Sequence, residues 1–248
     1  MFYVGVDGCK AGWFAVRLGK GSNWEINLFP NIEKLWEIYK DAKLILIDIP
    51  IGLPYRAHEV RSCDIEAKEL LVQRRSSVFL APCRCAISSD NHKEASKINR
   101  DETGRGLSIQ AWSIIPKIKD VDQLLLSDMS ARSRIREVHP EVCFWALNGK
   151  RPMAYSKKKN EGIQERKEVL RSVYPYSEAI FKDVEQKYAE HEYYRKDIGW
   201  DDILDALAAA VTAFASRQEL SVIPETAEYD AHDLPMEMVF HCPLIKQR

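Results

Sequence analysis

Four aspartates stand where a carboxylate needs a partner. Asp7 follows the apolar run Phe2–Val6, and Asp48 follows Leu44–Ile47. Asp202 and Asp205 open the alanine-rich stretch DDILDALAAAVTAFA. A carboxylate at the end of a buried strand costs free energy unless it is paired or bound to a cation. Ionised oxygens of this kind are the preferred ligands of Mg²⁺. Two hard cations held about 4 Å apart by such groups activate a water and stabilise the leaving oxygen of a phosphodiester. The expected chemistry is therefore metal-assisted hydrolysis, with Mg²⁺ or Mn²⁺ as cofactor and two ions as the working number. No protein nucleophile is then required, and the chain carries no GxSxG motif that would supply one.

Each aspartate also has a purely structural reading. Asp before Gly8 is a common turn signal, and Asp48 could cap the turn that precedes Pro50. Asp201 is a candidate N-cap, and Asp202 is favoured near a helix N-terminus. Asp205 is the hardest to explain this way, because it lies between apolar neighbours at the start of the alanine face. It shares a helix face with Asp202, three residues earlier. His139 and Glu141 form a His-Pro-Glu turn after a short strand, which could bring both to the same sheet edge. Glu141 there is either a further metal ligand or an acid starting a helix. Lys10, Arg75, Arg84, His139 and Lys158 are candidate substrate contacts, since Lys and especially Arg suit phosphate oxygens.

The elements that must position these groups follow from periodicity. Tyr3–Val6, Trp13–Leu18 and Trp24–Phe29 read as three antiparallel strands, joined by turns too short for crossover helices. A helix after Pro30, with Ile32, Leu35, Trp36 and Tyr39 on one face, leads into LILIDIP. That run suits a strand buried on both faces and reached by a parallel crossover. Asp48 then falls at the C-terminal sheet edge, where open α/β sheets bind ligands. Residues from about 55 to 130 read as a mostly helical insertion packed on the core. A strand near 135–139 follows, then a short helix, a basic loop from Lys150 to Lys159, and helices over 165–173 and 178–188. The long helix from Asp201 to about Arg217 closes the pattern, and the tail after Pro224 carries little signal.

Composition narrows the class. With 46% hydrophobic residues in 248, the chain can bury a sizeable core, and it is expected to form one domain over 1–248. The start of the sequence has no signal-peptide character, and no apolar stretch reaches the roughly 18 residues of a membrane helix, so a cytoplasmic protein is expected. Six cysteines without a CxxC pair read as reduced thiols rather than a zinc site. The net charge of -1 excludes a strongly basic nucleic-acid binder. Charge is nevertheless uneven: residues 55–171 carry 23 Lys+Arg against 16 Asp+Glu, while the remainder carries 13 against 21. The basic middle could hold a polyanion beside the acids, or could be an ordinary solvated surface.

The segments GVDGCKAGW, IDIPIGLP, RRSSVFLAPCR, SIQAWSIIPKI, VHPEVCFWALNG and DDILDALAAAVTA together resemble the domain-of-unknown-function family 429. The resemblance runs from Met1 to about Ala215. It implies a ribonuclease H-like fold: a mixed five-stranded sheet, three strands antiparallel and the rest parallel, flanked by helices. It also implies a nuclease. The order of acids is similar to that of Holliday-junction resolvases, with Asp7 on the first strand, Asp48 on the fourth and Asp202 with Asp205 on the last helix. Those relatives place Glu on the fourth strand, one methylene longer than Asp48, and Glu141 could supply the longer arm. The comparison makes nucleic acid or a nucleotide the expected substrate and a homodimer possible. Two other readings stay open. The DGCKAG turn resembles the first phosphate loop of the sugar-kinase and actin superfamily, which implies a small-molecule phosphotransferase. A noncatalytic nucleic-acid-binding protein of the same fold is the third.

Overall fold

The computed structural model describes residues 1–55, 59–217 and 219–243. Arg56, Ala57 and His58, where the expected insertion begins, lie outside the described residues.

The chain opens with β1 (Phe2–Cys9), β2 (Gly12–Gly19) and β3 (Trp24–Phe29), an antiparallel meander. The β1–β2 ladder runs out to Cys9 opposite Gly12, so the loop is only Lys10-Ala11. Gly12 takes φ +136°, a conformation that any side chain would disfavour. Helix α1 (Ile32–Tyr39), capped by the Asn31 side chain, leads into β4 (Leu44–Ile47). Then come α2 (Ser62–Leu71), a 3₁₀ segment over Val72–Ser77, a second over Ala86–Ser88, α3 (His92–Thr103), α4 (Ile109–Ser113), α5 (Ile115–Ser127) and α6 (Met129–Arg132). Strand β5 (Ile135–Glu137) is followed by α7 (Pro140–Leu147), α8 (Asn160–Val173), α9 (Ser177–Ala189), α10 (Trp200–Ser216), β6 (Ser221–Ile223) and β7 (Met238–Phe240).

Five strands form one mixed sheet in the order β3-β2-β1-β4-β5, with β4 parallel to both β1 and β5. Helices cover both faces. Tyr3, Phe14, Val16, Leu44 and Leu46 face the layer that contains α7 to α10. Val4, Val6, Trp13, Ala15, Ile45 and Ile47 face α1, α5 and the segment around Ala81–Ala111. This alternation decides where the acids point. Asp7 continues the parity of Tyr3 and Gly5, and Asp48 that of Leu44 and Leu46, which directs both toward the α10 layer.

Helix α10 lies unusually close to that face. A Cβ on Gly5 would stand 2.0 Å from the Ala210 nitrogen and 2.2 Å from the Ala206 oxygen, so the helix backbone rests directly on the strand. The alanine run of α10 supplies high helix propensity and no bulk.

The region after Pro224 corrects the sequence reading. It contributes β7, which pairs with β6 in a small antiparallel sheet. It also brings Asp230 back to the core, where its carboxylate accepts from the Leu53 and Leu234 amides and pairs with Arg84. Leu53 and Arg84 are distant in sequence, so no local pattern announced them.

Candidate metal centre

The sheet edge is built by three elements. Asp7 lies two residues before the end of β1 and is buried, with its Oδ1 accepting the Gly8 amide at 2.7 Å. Asp48 is the residue after β4 and is half-buried; its amide extends the parallel ladder by donating to the Val6 carbonyl at 3.0 Å. Asp205 sits in the second turn of α10 and is 2% exposed. One carboxylate oxygen from each of the three lies within 4.8 Å of the others. Asp205 Oδ2 receives Lys157 Nζ, while Oδ1 is buried with no hydrogen-bond partner among the described residues.

The electrostatics follow from crowding. Burial, then the charges of Asp48 and Asp205, hold the Asp7 carboxyl well above the ordinary carboxylate range. Burial followed by Asp205 does the same to Asp48. Burial raises Asp205 too, against the opposing pull of Lys157. For Lys157 burial disfavours the charge, but Asp205, then Asp7, outweigh it and keep the ammonium protonated above the ordinary lysine value. One ammonium thus faces three carboxylates. An all-carboxylate donor set, an orphaned buried oxygen and surplus negative charge together fit a hard divalent cation.

The loop that carries Lys157 is pinned from several sides. Glu165 accepts from the Ala154 and Tyr155 amides at 2.7 and 3.0 Å. Arg166, fully buried, donates to the Tyr155 carbonyl at 3.0 Å and pairs with Glu141 at 2.5 Å. Arg74 donates to the carbonyls of Met153 and Ala154. Beside the loop opens a cavity of about 490 Å³ that reaches Asp48, His139, Glu141, Lys157, Lys158 and Asp205.

The other candidates are distributed unevenly. Asp202 stands outside the triad: its Oδ2 accepts the Gly199 amide at 2.8 Å, so Gly199 rather than Asp201 is the N-cap of α10. Burial nevertheless pushes Asp202 up to about 6, and its charge adds to the rise of Asp7. Glu141 lines the cavity but is not a member of the triad, because its carboxylate is engaged by Arg166. His139 precedes α7 with its Nε2 3.4 Å from the Ser77 carbonyl, and burial pushes it down to about 4, leaving it neutral at pH 7. Lys158 is exposed on the cavity wall. Arg75 is exposed, and it is its neighbour Arg74 that lines the cavity. Lys10 sits exposed at the tip of the β1–β2 hairpin. Arg84 is turned inward, held by Asp122 at 2.7 Å and Asp230 at 2.5 Å, so its guanidinium is committed to structure. Sequence reasoning passed over Lys157 within a run of three lysines. The buried arginine at i+9, Arg166, gave no local signal.

Fold and site define an α/β protein with a carboxylate cluster at the C-terminal edge of a mixed sheet. A family model described as "Protein of unknown function (DUF429)" matches residues 5–229, and the chain belongs to that family. Asp7, Asp48 and Asp205 fall inside the match. No curated protein and no solved structure matches the chain.

Proposed function

We propose that this protein is a divalent-metal-dependent phosphodiesterase that acts on nucleic acid, with Mg²⁺ or Mn²⁺ held by Asp7, Asp48 and Asp205. The observation that carries the reading is the convergence of those three carboxylates, from two strand ends and one helix, within 4.8 Å beside a cavity. The strand order and the mixed pairing agree with a ribonuclease H-like sheet, which supports the same reading. A second ion, if bound, would draw on Asp202 through the oxygen not used to cap Gly199.

A divalent cation in such a site supplies an acidified water and offsets charge on the phosphate. The chain's own residues do the rest. Asp7 and Asp205, both buried, exclude bulk water from their side of the site. Lys157 is placed to balance a phosphate oxygen next to the carboxylates, and Lys158 adds charge at the cavity wall. All three carboxylates come from one chain.

The phosphotransferase reading gains no support from the hairpin. The Gly8 amide is taken by Asp7 Oδ1 and the Ala11 amide by the Asp197 carbonyl, leaving neither for a phosphate.

The test is Mn²⁺- and Mg²⁺-dependent cleavage of labelled single-stranded DNA, RNA, hybrid duplex and junction substrates, with Asp7→Asn and Asp205→Asn beside the parent. Cleavage by the parent that falls at least about a hundredfold in both variants is the expected result. Equal turnover by Asp7→Asn and the parent would refute the site.

A further inference from the structure

A second cavity, of about 330 Å³, adjoins the one beside the acids. The two share Asp64, Ser76, Val78, Phe79 and Gln110 in their linings, so α2, the end of the first 3₁₀ segment with the stretch after it, and α4 together form their common wall. Both volumes are on the scale of small-molecule sites, roughly 300–1,000 Å³. Asp64 fixes this wall: it is 2% exposed, accepts the Ala81 amide at 2.9 Å and pairs with buried Arg61 at 3.1 Å. The far cavity carries Lys68 and Arg105. From the sheet edge outward the lining therefore runs from carboxylates and lysines, past Phe79, to Lys68 and Arg105.

We propose that the two cavities hold two successive nucleotides on one side of a scissile phosphate, so that the substrate is single-stranded nucleic acid longer than two nucleotides. The inference rests on the phosphodiesterase reading and names its substrate class. Single-strand sites combine cations that track the backbone with aromatic faces against which bases stack, and Lys68, Phe79 and Arg105 provide both kinds of group in the lining of one cavity. A paired duplex keeps its bases stacked inside and offers mainly its outer phosphates. Cavities walled from several chain segments can accept a nucleotide only when it is unpaired or extruded. The reaction is hydrolysis: water oxygen bonds to phosphorus, the ester P–O bond breaks, and the leaving oxygen takes a proton. No oxidant or reductant enters.

The experiment compares a single-stranded oligonucleotide, the same sequence as a duplex, and bis(p-nitrophenyl) phosphate, in Mn²⁺, with the parent and a Lys68→Ala/Arg105→Ala double variant. Arg105 is exposed and Lys68 half-buried, and a melting curve checks that the variant is folded. The expected results are single-strand cleavage at least about tenfold faster than duplex cleavage, and a rise in single-strand KM of at least about fivefold in the double variant, larger than any change in kcat. Duplex cleavage as fast as single-strand cleavage, or an unchanged KM, would overturn the inference while leaving the phosphodiesterase reading intact. Failure of the parent to hydrolyse any of the three substrates would instead defeat that reading, and this inference with it.

Discussion

Replacing Gly5 by alanine tests how the fold holds the metal site together. The new Cβ would meet backbone atoms of α10 at 2.0 and 2.2 Å, where ordinary contact begins at 3.4 Å. Backbone cannot swing aside as a flexible side chain does, so the helix must lift by about 1.4 Å. Gly5 lies two residues before Asp7, and Ala206 directly follows Asp205, so the lift acts between the two acids. It adds up to about 1.4 Å to the separation of oxygens that now lie within 4.8 Å of one another. Mg²⁺ binds oxygens at about 2.0–2.1 Å, so opposite ligands stand only about 4.2 Å apart. Gly5→Ala should therefore weaken Mn²⁺ binding at least about tenfold in isothermal titration, or about 1.4 kcal/mol. Overpacking should also cost about 3 kcal/mol, which lowers the melting temperature by about 6 °C or more. The thermal shift produced by saturating metal should shrink in parallel, because ligand stabilisation follows affinity. A variant with the parent's melting temperature would refute the close helix contact. One that melts lower yet binds Mn²⁺ as the parent does would refute the claim that this contact sets the site.

Two further perturbations act on the charge of the cluster. Lys157→Met removes the ammonium that faces Asp205, so the metal-free protein should lose about 2 kcal/mol, seen as a lower melting temperature. Mn²⁺ should bind it more tightly than the parent, and equal affinity in titration would show that Lys157 does not balance the cluster. The pH dependence has a definite sign. Asp7, Asp48 and Asp205 have raised carboxyl pKa values and Asp202 lies at about 6, so their protonated forms favour the folded state. That contribution is present below the ordinary value of 3.8 and is lost as pH rises through each folded value, for Asp202 between about 4 and 6. Metal binding requires the ionised ligands, so the melting-temperature increment from Mg²⁺ should grow from pH 5 to pH 8. An increment that stays flat across that range would count against carboxylate ligation.

Much of the scaffold was legible because its signals are local. Strand alternation in Trp13–Leu18 and Trp24–Phe29, the i, i+3, i+4, i+7 spacing of Ile32, Leu35, Trp36 and Tyr39, and the uninterrupted LILI run each specify an element by themselves. The insertion was read only as mostly helical, without its individual helices. The tail was not legible, because β7 consists of three residues whose ladder depends on β6. Its Asp230 is fixed by Leu53 and Arg84, from the opposite end of the sequence.

The site divides along the same line. Asp7 and Asp48 could be placed together because strand parity is a local property, and two parallel strands in register bring equivalent ends side by side. Asp205 followed from the alanine face, which demands a helix resting on something flat. The supporting charges did not follow. Arg84 and Glu141 carry the right chemistry for phosphate and metal, yet Asp122, Asp230 and Arg166 neutralise them inside the protein. An isolated Arg or Glu in a sequence gives no sign of whether its partner is a ligand or another side chain, because that partner is set by packing. Lys157 shows the converse. Three consecutive lysines look like a solvated loop, and the middle and last of them, Lys158 and Lys159, are exposed. Arg74, Glu165 and Arg166 anchor the preceding residues, and Lys157 turns inward to Asp205. The acids of such a centre can be read from element ends, whereas its cations are chosen by tertiary contacts that span the chain.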